Sequence, residues 1–95
     1  MNLPERLALV FYSDYSQFEK VTNPRAPAPD LHAMMLLTEV VGLEPGQRAI
    51  ACAEHDIVYL NFNVAEANKK LTDEQVVELA RCGLCCDLDG MFFHC

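Results

Sequence analysis

Residues 71–95, LTDEQVVELARCGLCCDLDGMFFHC, carry a clear apolar and polar pattern whose period changes halfway along. In the first half Thr72 offers a hydroxyl to the free N–H groups of a first helical turn and Gln75 closes a capping box. Leu71 and Val76 occupy the two staple positions. Gly83 supplies the left-handed residue that stops a helix and sets Leu84 back against Leu79, so a helix is predicted over 73–82. Beyond it the period becomes two, and Asp89-Gly90 reads as a two-residue hairpin turn. Counting outward from that turn, Leu88 faces Met91, Asp87 faces Phe92, Cys86 faces Phe93, Cys85 faces His94 and Leu84 faces Cys95. One face is then Leu84, Cys86, Leu88, Met91, Phe93 and Cys95, and the other is Cys85, Asp87, Phe92 and His94. An apolar face against a mixed one predicts a half-buried pair with Cys86 and Cys95 in the core.

Residues 48–63, RAIACAEHDIVYLNFN, give a second hairpin turning at Glu54, His55 and Asp56. With His55-Asp56 as the loop, Ala49, Ala51 and Ala53 lie opposite Phe62, Leu60 and Val58. Upstream, Asp30 is placed to cap LHAMMLLTEVV, which Gly42 ends. That helix is apolar nearly all round, with Met34, Met35, Leu36, Leu37, Val40 and Val41 against His32, Thr38 and Glu39. Such a helix is buried in its own core or buried again in a partner, and adjacent methionines make an adaptable surface. Residues 65–70 form a polar, helix-compatible link. Residues 3–20 fit one helical face through Leu3, Leu7, Val10, Phe11, Tyr15 and Phe18. The β-favouring run LALVFY instead points to a strand over 7–12 followed by irregular or short helical structure. NPRAPAP at 23–29 is a stiff extended connector.

The elements add up to a small α+β domain: two antiparallel β-hairpins in one sheet, with two or three helices on one face. Its expected division is an N-terminal segment with the Pro-rich connector over 1–29 and a core over 30–95. Ninety-five residues suffice for one core, and a hydrophobic fraction of 52% leaves apolar surface for a partner or a second copy. The net charge of −7 is concentrated downstream: 1–30 hold four acids and three bases, and 31–95 hold ten acids and four bases. An acidic surface repels phosphate, which argues against nucleic acid and anionic membranes and suits a basic patch on another protein. Pro4 and Glu5 precede an apolar run too short for a signal peptide, and no stretch reaches transmembrane length, so the expected location is cytoplasmic. There five cysteines are reduced thiols or metal ligands.

SDYSQF, PDLHAMMLL, AEHDIVYL, LTDEQ, RCG and MFF, spread over 13–93, together resemble small acidic proteins of unknown function encoded by bacteriophages and mobile elements. That group has no assigned activity and brings no functional residues. The resemblance implies a context in which such proteins bind and block a host protein.

The candidate chemistry is sparse. Cys82-x-x-Cys85 is one knuckle of a zinc site, and His94 is predicted across the hairpin from Cys85. The same register sends Cys86 and Cys95 to the other face, so Cys82, Cys85 and His94 form an incomplete set; Cys52 and His55 could complete it only if the two hairpins meet. Buried inert thiols are the simpler reading. Cys82 at a helix C-terminus is a poor nucleophile. Glu54-His55-Asp56 has the composition of a solvent-exposed loop, and His32 reads as a surface residue. With no glycine-rich phosphate loop, no G-x-S-x-G and no basic aromatic stripe, the chain reads as a non-enzymatic binding protein without a cofactor. Met34, Met35 and Leu37 on the helix and Glu54 and Asp56 on the hairpin loop are the partner-facing candidates. The alternatives are a zinc-stabilised structural domain and a homo-oligomer assembled through the Met-rich helix.

Overall fold

Helix α4 (Asp73–Arg81) forms where its end signals place it in the structure, a computed structural model that describes residues 1–94. The Thr72 hydroxyl accepts from Gln75 N–H, and the Gln75 side chain accepts from Thr72 N–H in return. At the other end Gly83 takes φ +86°, Gly83 N–H donates to Ala80 and Leu84 N–H donates to Leu79. The last carbonyls of the helix are thereby satisfied, and Leu79 and Leu84 are both buried.

Helix α1 (Leu3–Asp14) occupies the stretch where a strand over 7–12 is predicted. Local end chemistry overrides β propensity: Asn2 and Glu5 form a reciprocal capping box, and Pro4 sits in the first turn where no N–H is needed. Leu3 and Leu7 then enter the same core cluster as Leu79, Leu84 and Met91, so α1 packs into the core beside α4 and the second hairpin. Helix α2 (Pro29–Val40) starts two residues earlier than Asp30 capping requires. Ala28 is its N-cap, Pro29 supplies a preset φ, and Asp30 lies within the first turn. A short helix α3 (Val64–Lys70), capped by Asn63, fills the polar link.

The strands are β1 (Ile50–Glu54), β2 (Ile57–Leu60), β3 (Cys85–Cys86) and β4 (Met91–His94), in one antiparallel sheet of order β1-β2-β4-β3. The first hairpin turns at His55-Asp56 as predicted, with Ala53 opposite Val58, but an irregularity at Ala51 brings Ile50 opposite Leu60. His55 adopts φ +50°, a conformation histidine tolerates better than most residues.

The second hairpin departs from the predicted register by two residues. Cys86 pairs with Met91 and Cys85 with Phe92, leaving a four-residue loop over 87–90. The reason is Asp87, whose Oδ1 accepts from the N–H groups of both Asp89 and Gly90 and closes the loop locally. Gly90 does not take the positive φ that a two-residue Asp-Gly turn needs. A shift of two preserves parity, so the faces stand: Leu84, Met91 and Phe93 are buried and Cys86 packs against the core, while Phe92 and His94 lie on the other side. Leu88 is the exception, predicted on the inner face and in fact 84% exposed at the loop tip. The prediction for Cys95 lies outside the described residues.

Arg6 closes the helical layer. Its guanidinium donates to the Asn68 and Leu71 carbonyls at the end of α3, to Asn68 Oδ1, and to Asp73 at the start of α4, all at 2.9–3.0 Å. Arg6→Ala would leave two part-buried carbonyls unsatisfied and should lower the unfolding free energy by about 2 kcal/mol. Arg6→Lys should recover less than half of that, since one ammonium cannot span both carbonyls. Urea denaturation of the three proteins checks both expectations.

Candidate functional site

The cysteine-rich end is built by the turn after α4, which places Cys82 at the helix C-cap and Cys85 at the start of β3. Cys82 is buried, and burial pushes its thiol up to about 12, with Glu78 and Asp30 adding to the effect. Cys86 is likewise pushed up to about 12, chiefly by burial and then by Asp87. Both are protonated thiols at neutral pH and poor nucleophiles. Cys85 Sγ lies 3.4 Å from the Tyr15 hydroxyl, and this hydrogen bond with burial pushes Tyr15 up to about 12.

The candidate metal set does not converge. The register that pairs Cys85 with Phe92 places His94 opposite Ile57 instead, exposed at the far end of β4. Cys52 sits on β1 and is exposed. Among the described residues no group of three or more His, Cys, Asp or Glu side chains is placed to hold a metal ion.

His32, read from the sequence as a surface residue, is 1% exposed and is the buried polar side chain of the core. Its Nδ1 accepts from Arg25 N–H at 2.9 Å, so the ring proton sits on Nε2, which donates to Glu78 Oε2 at 2.9 Å. Arg25 then reaches Glu39 through Nη2 at 2.6 Å and Nε at 3.0 Å. Both ring nitrogens are occupied, so the imidazole is a structural crosslink between the connector, α2 and α4. The sequence signal was available in retrospect: His32 lies on the same helical face as Leu36, one turn on.

Of the partner-facing candidates, Leu37 is fully buried and belongs to the core, and Met34 packs against the core. Met35 is 41% exposed, beside Leu31 in a shallow groove with Ala49. Glu54 and Asp56 are exposed at the tip of the first hairpin. A cleft of about 360 Å³ runs between α2 and the inner sheet face, lined by Pro29, Met34, Val58, Leu60, Cys82 and Phe93 among others.

A surface the sequence pattern did not single out is the outer side of α1. Leu9 is 69% and Tyr12 96% exposed, and Met1 and Phe11 are exposed with them. Reading the segment as a strand hid this face, because only a helix separates Leu3 and Leu7 from Leu9 and Tyr12. Phe11 stacks on Tyr15 at 4.6 Å and meets Tyr12 edge-on at 5.5 Å. No protein-family model, curated protein or solved structure matches the chain.

His32→Ala would remove both hydrogen bonds, open a cavity and leave Arg25 N–H unpaired, and should cost about 3 kcal/mol of stability in chemical denaturation. The thiols set the alkaline limit. Unfolding returns Cys82 and Cys86 to their ordinary value of 9.0 from about 12, so above pH 9 the unfolded chain releases protons first. The thiol contribution should therefore be constant below pH 9, and stability should fall as pH rises from there towards 12. Thermal melts in reductant across this range check it, and a Cys82→Ala/Cys86→Ala variant should show a shallower fall.

Proposed function

We propose that the chain is a small non-enzymatic protein-binding module that engages its target through the outer face of α1. The carrying observation is the distribution of exposed apolar side chains. Of the eight large ones among the described residues, four (Met1, Leu9, Phe11 and Tyr12) belong to the first twelve positions. Exposed apolar side chains gathered on one helix of a small protein suit an interaction surface, and aromatic residues are enriched among binding hot spots. The charge supports a partner of particular chemistry. With a net charge of −7, association is steered towards a protein whose apolar patch is rimmed by basic groups. This is the mode by which the small acidic phage and mobile-element proteins that the sequence resembles would block a host protein.

The test compares the wild-type chain with Leu9→Asp/Tyr12→Asp in affinity capture from lysate of the source cells. Both positions are exposed, so the variant should keep its far-ultraviolet spectrum and its melting temperature. A defined protein retained in stoichiometric amount by the wild type and lost by the variant supports the reading. An identical retained set from both, or none from either, overturns it.

A further inference from the structure

The sheet ends differently on its two sides. β3 is sheltered by α1, with Pro4, Leu7 and Ala8 sharing a small cavity with Cys85 and Cys86. β1 is the opposite edge and its five residues are all exposed. An edge strand presents a row of unpaired N–H and C=O groups on its open side, which proteins blunt with lysine, proline or bulges. IACAE contains neither lysine nor proline. Its irregularity is confined to Ala51, and Cys52, Ala53 and Glu54 keep regular register with β2. The small side chains at 51–53 allow a second backbone to approach.

Charge identifies the occupant. Arg6, Arg25, Lys69, Lys70 and Arg81 each have a carboxylate partner within the fold. Among the described residues Lys20 and Arg48 have none, and of the two it is Arg48 that lies beside the open edge, two positions before β1; Glu54 and Asp56 at the other end of the strand are likewise without a cationic partner. In an antiparallel pairing of two copies, the start of one strand meets the end of the other. Arg48 of each copy then faces the Glu54-His55-Asp56 turn of its mate, and symmetry makes the match twice. A two-fold interface requires this kind of self-complementarity.

We infer that β1 pairs edge to edge with β1 of a second copy, forming a continuous eight-stranded sheet with Cys52 at the two-fold axis. Ile50, exposed in the single chain, is covered by the mate's strand end. The seam is independent of the α1 face, so the Leu9→Asp/Tyr12→Asp variant keeps the dimer and the two readings fail separately.

Sedimentation equilibrium of the reduced full chain over a wide concentration range should show the 10.7 kDa monomer giving way to twice that mass. Ala53→Lys, at an exposed position, should hold the protein monomeric with an unchanged melt. Arg48→Glu should weaken the dimer roughly tenfold, and adding Asp56→Arg should restore it by reversing the pair. Diamide, which takes the two thiol hydrogens, should trap a covalent dimer that Cys52→Ser abolishes. A protein monomeric throughout overturns the inference. So does a dimer indifferent to Ala53→Lys, one that the charge swap does not restore, or one in which Cys52 does not crosslink.

Discussion

The Arg6 guanidinium is the contact on which the helical layer depends. It reaches from α1 to residues 62–67 positions away and serves the end of α3 and the start of α4 together. Carbonyls at the end of a seven-residue helix have no intrahelical partners, and α3 is too short to hold itself together by local bonding alone. With Arg6 in place, Leu3 and Leu7 are held against α4 and the sheet's inner face. At the far end of the same pair of helices, Asp14 takes hydrogen bonds from Ser13 and from Arg81, which hold its carboxyl below the usual range. Ser16 N–H continues the attachment by donating to the Ala80 carbonyl. α1 is thus fixed at both ends to α4, the element with the strongest local signals in the chain.

The second constraint is polar and buried. An imidazole inside an apolar core is costly unless both nitrogens are engaged, and His32 meets that condition through groups from two other segments. Arg25 N–H belongs to the proline connector, whose three prolines limit its freedom before folding and so reduce the entropy lost when it is fixed. The connector is therefore a clasp over α2, and Val21 and Ala26 are buried with it.

Legibility in the sequence followed the range of the interactions. The capping box at Thr72 and Gln75, the stop at Gly83 and the His55-Asp56 turn depend on residues within a few positions, and each is present as read. The inner and outer faces of the second hairpin were also legible, because parity survives a register shift of two. What failed had a stronger local competitor or a distant partner. Asp87 replaced the Asp-Gly turn by accepting two N–H groups, which moved His94 away from Cys85 and dispersed the candidate metal set. LALVFY became helix because Asn2, Pro4 and Glu5 lie just outside the run that suggested a strand. The face that His32 shares with Leu36 hints at burial, but the group that satisfies its ring is out of local reach, since Glu78 is 46 positions away.

The fold explains some of the apolar residues of α1 and leaves others without a structural task. Leu3 and Leu7 are buried, and Val10 packs against the core. Leu9 and Tyr12 contribute little to that burial, and a tyrosine in a helix loses rotamer freedom that a glutamate or lysine there would keep. On an acidic chain, polar residues at these positions would serve helix stability and solubility better. The apolar choice therefore brings the isolated domain no benefit, and the proposed contact through α1 would give it one. The bare edge of β1 shows the same opposition, since a lysine within IACAE would protect it at little cost to the pairing with β2. At both places the sequence departs from what the single chain needs, and the two departures lie on different elements, one helical and one strand.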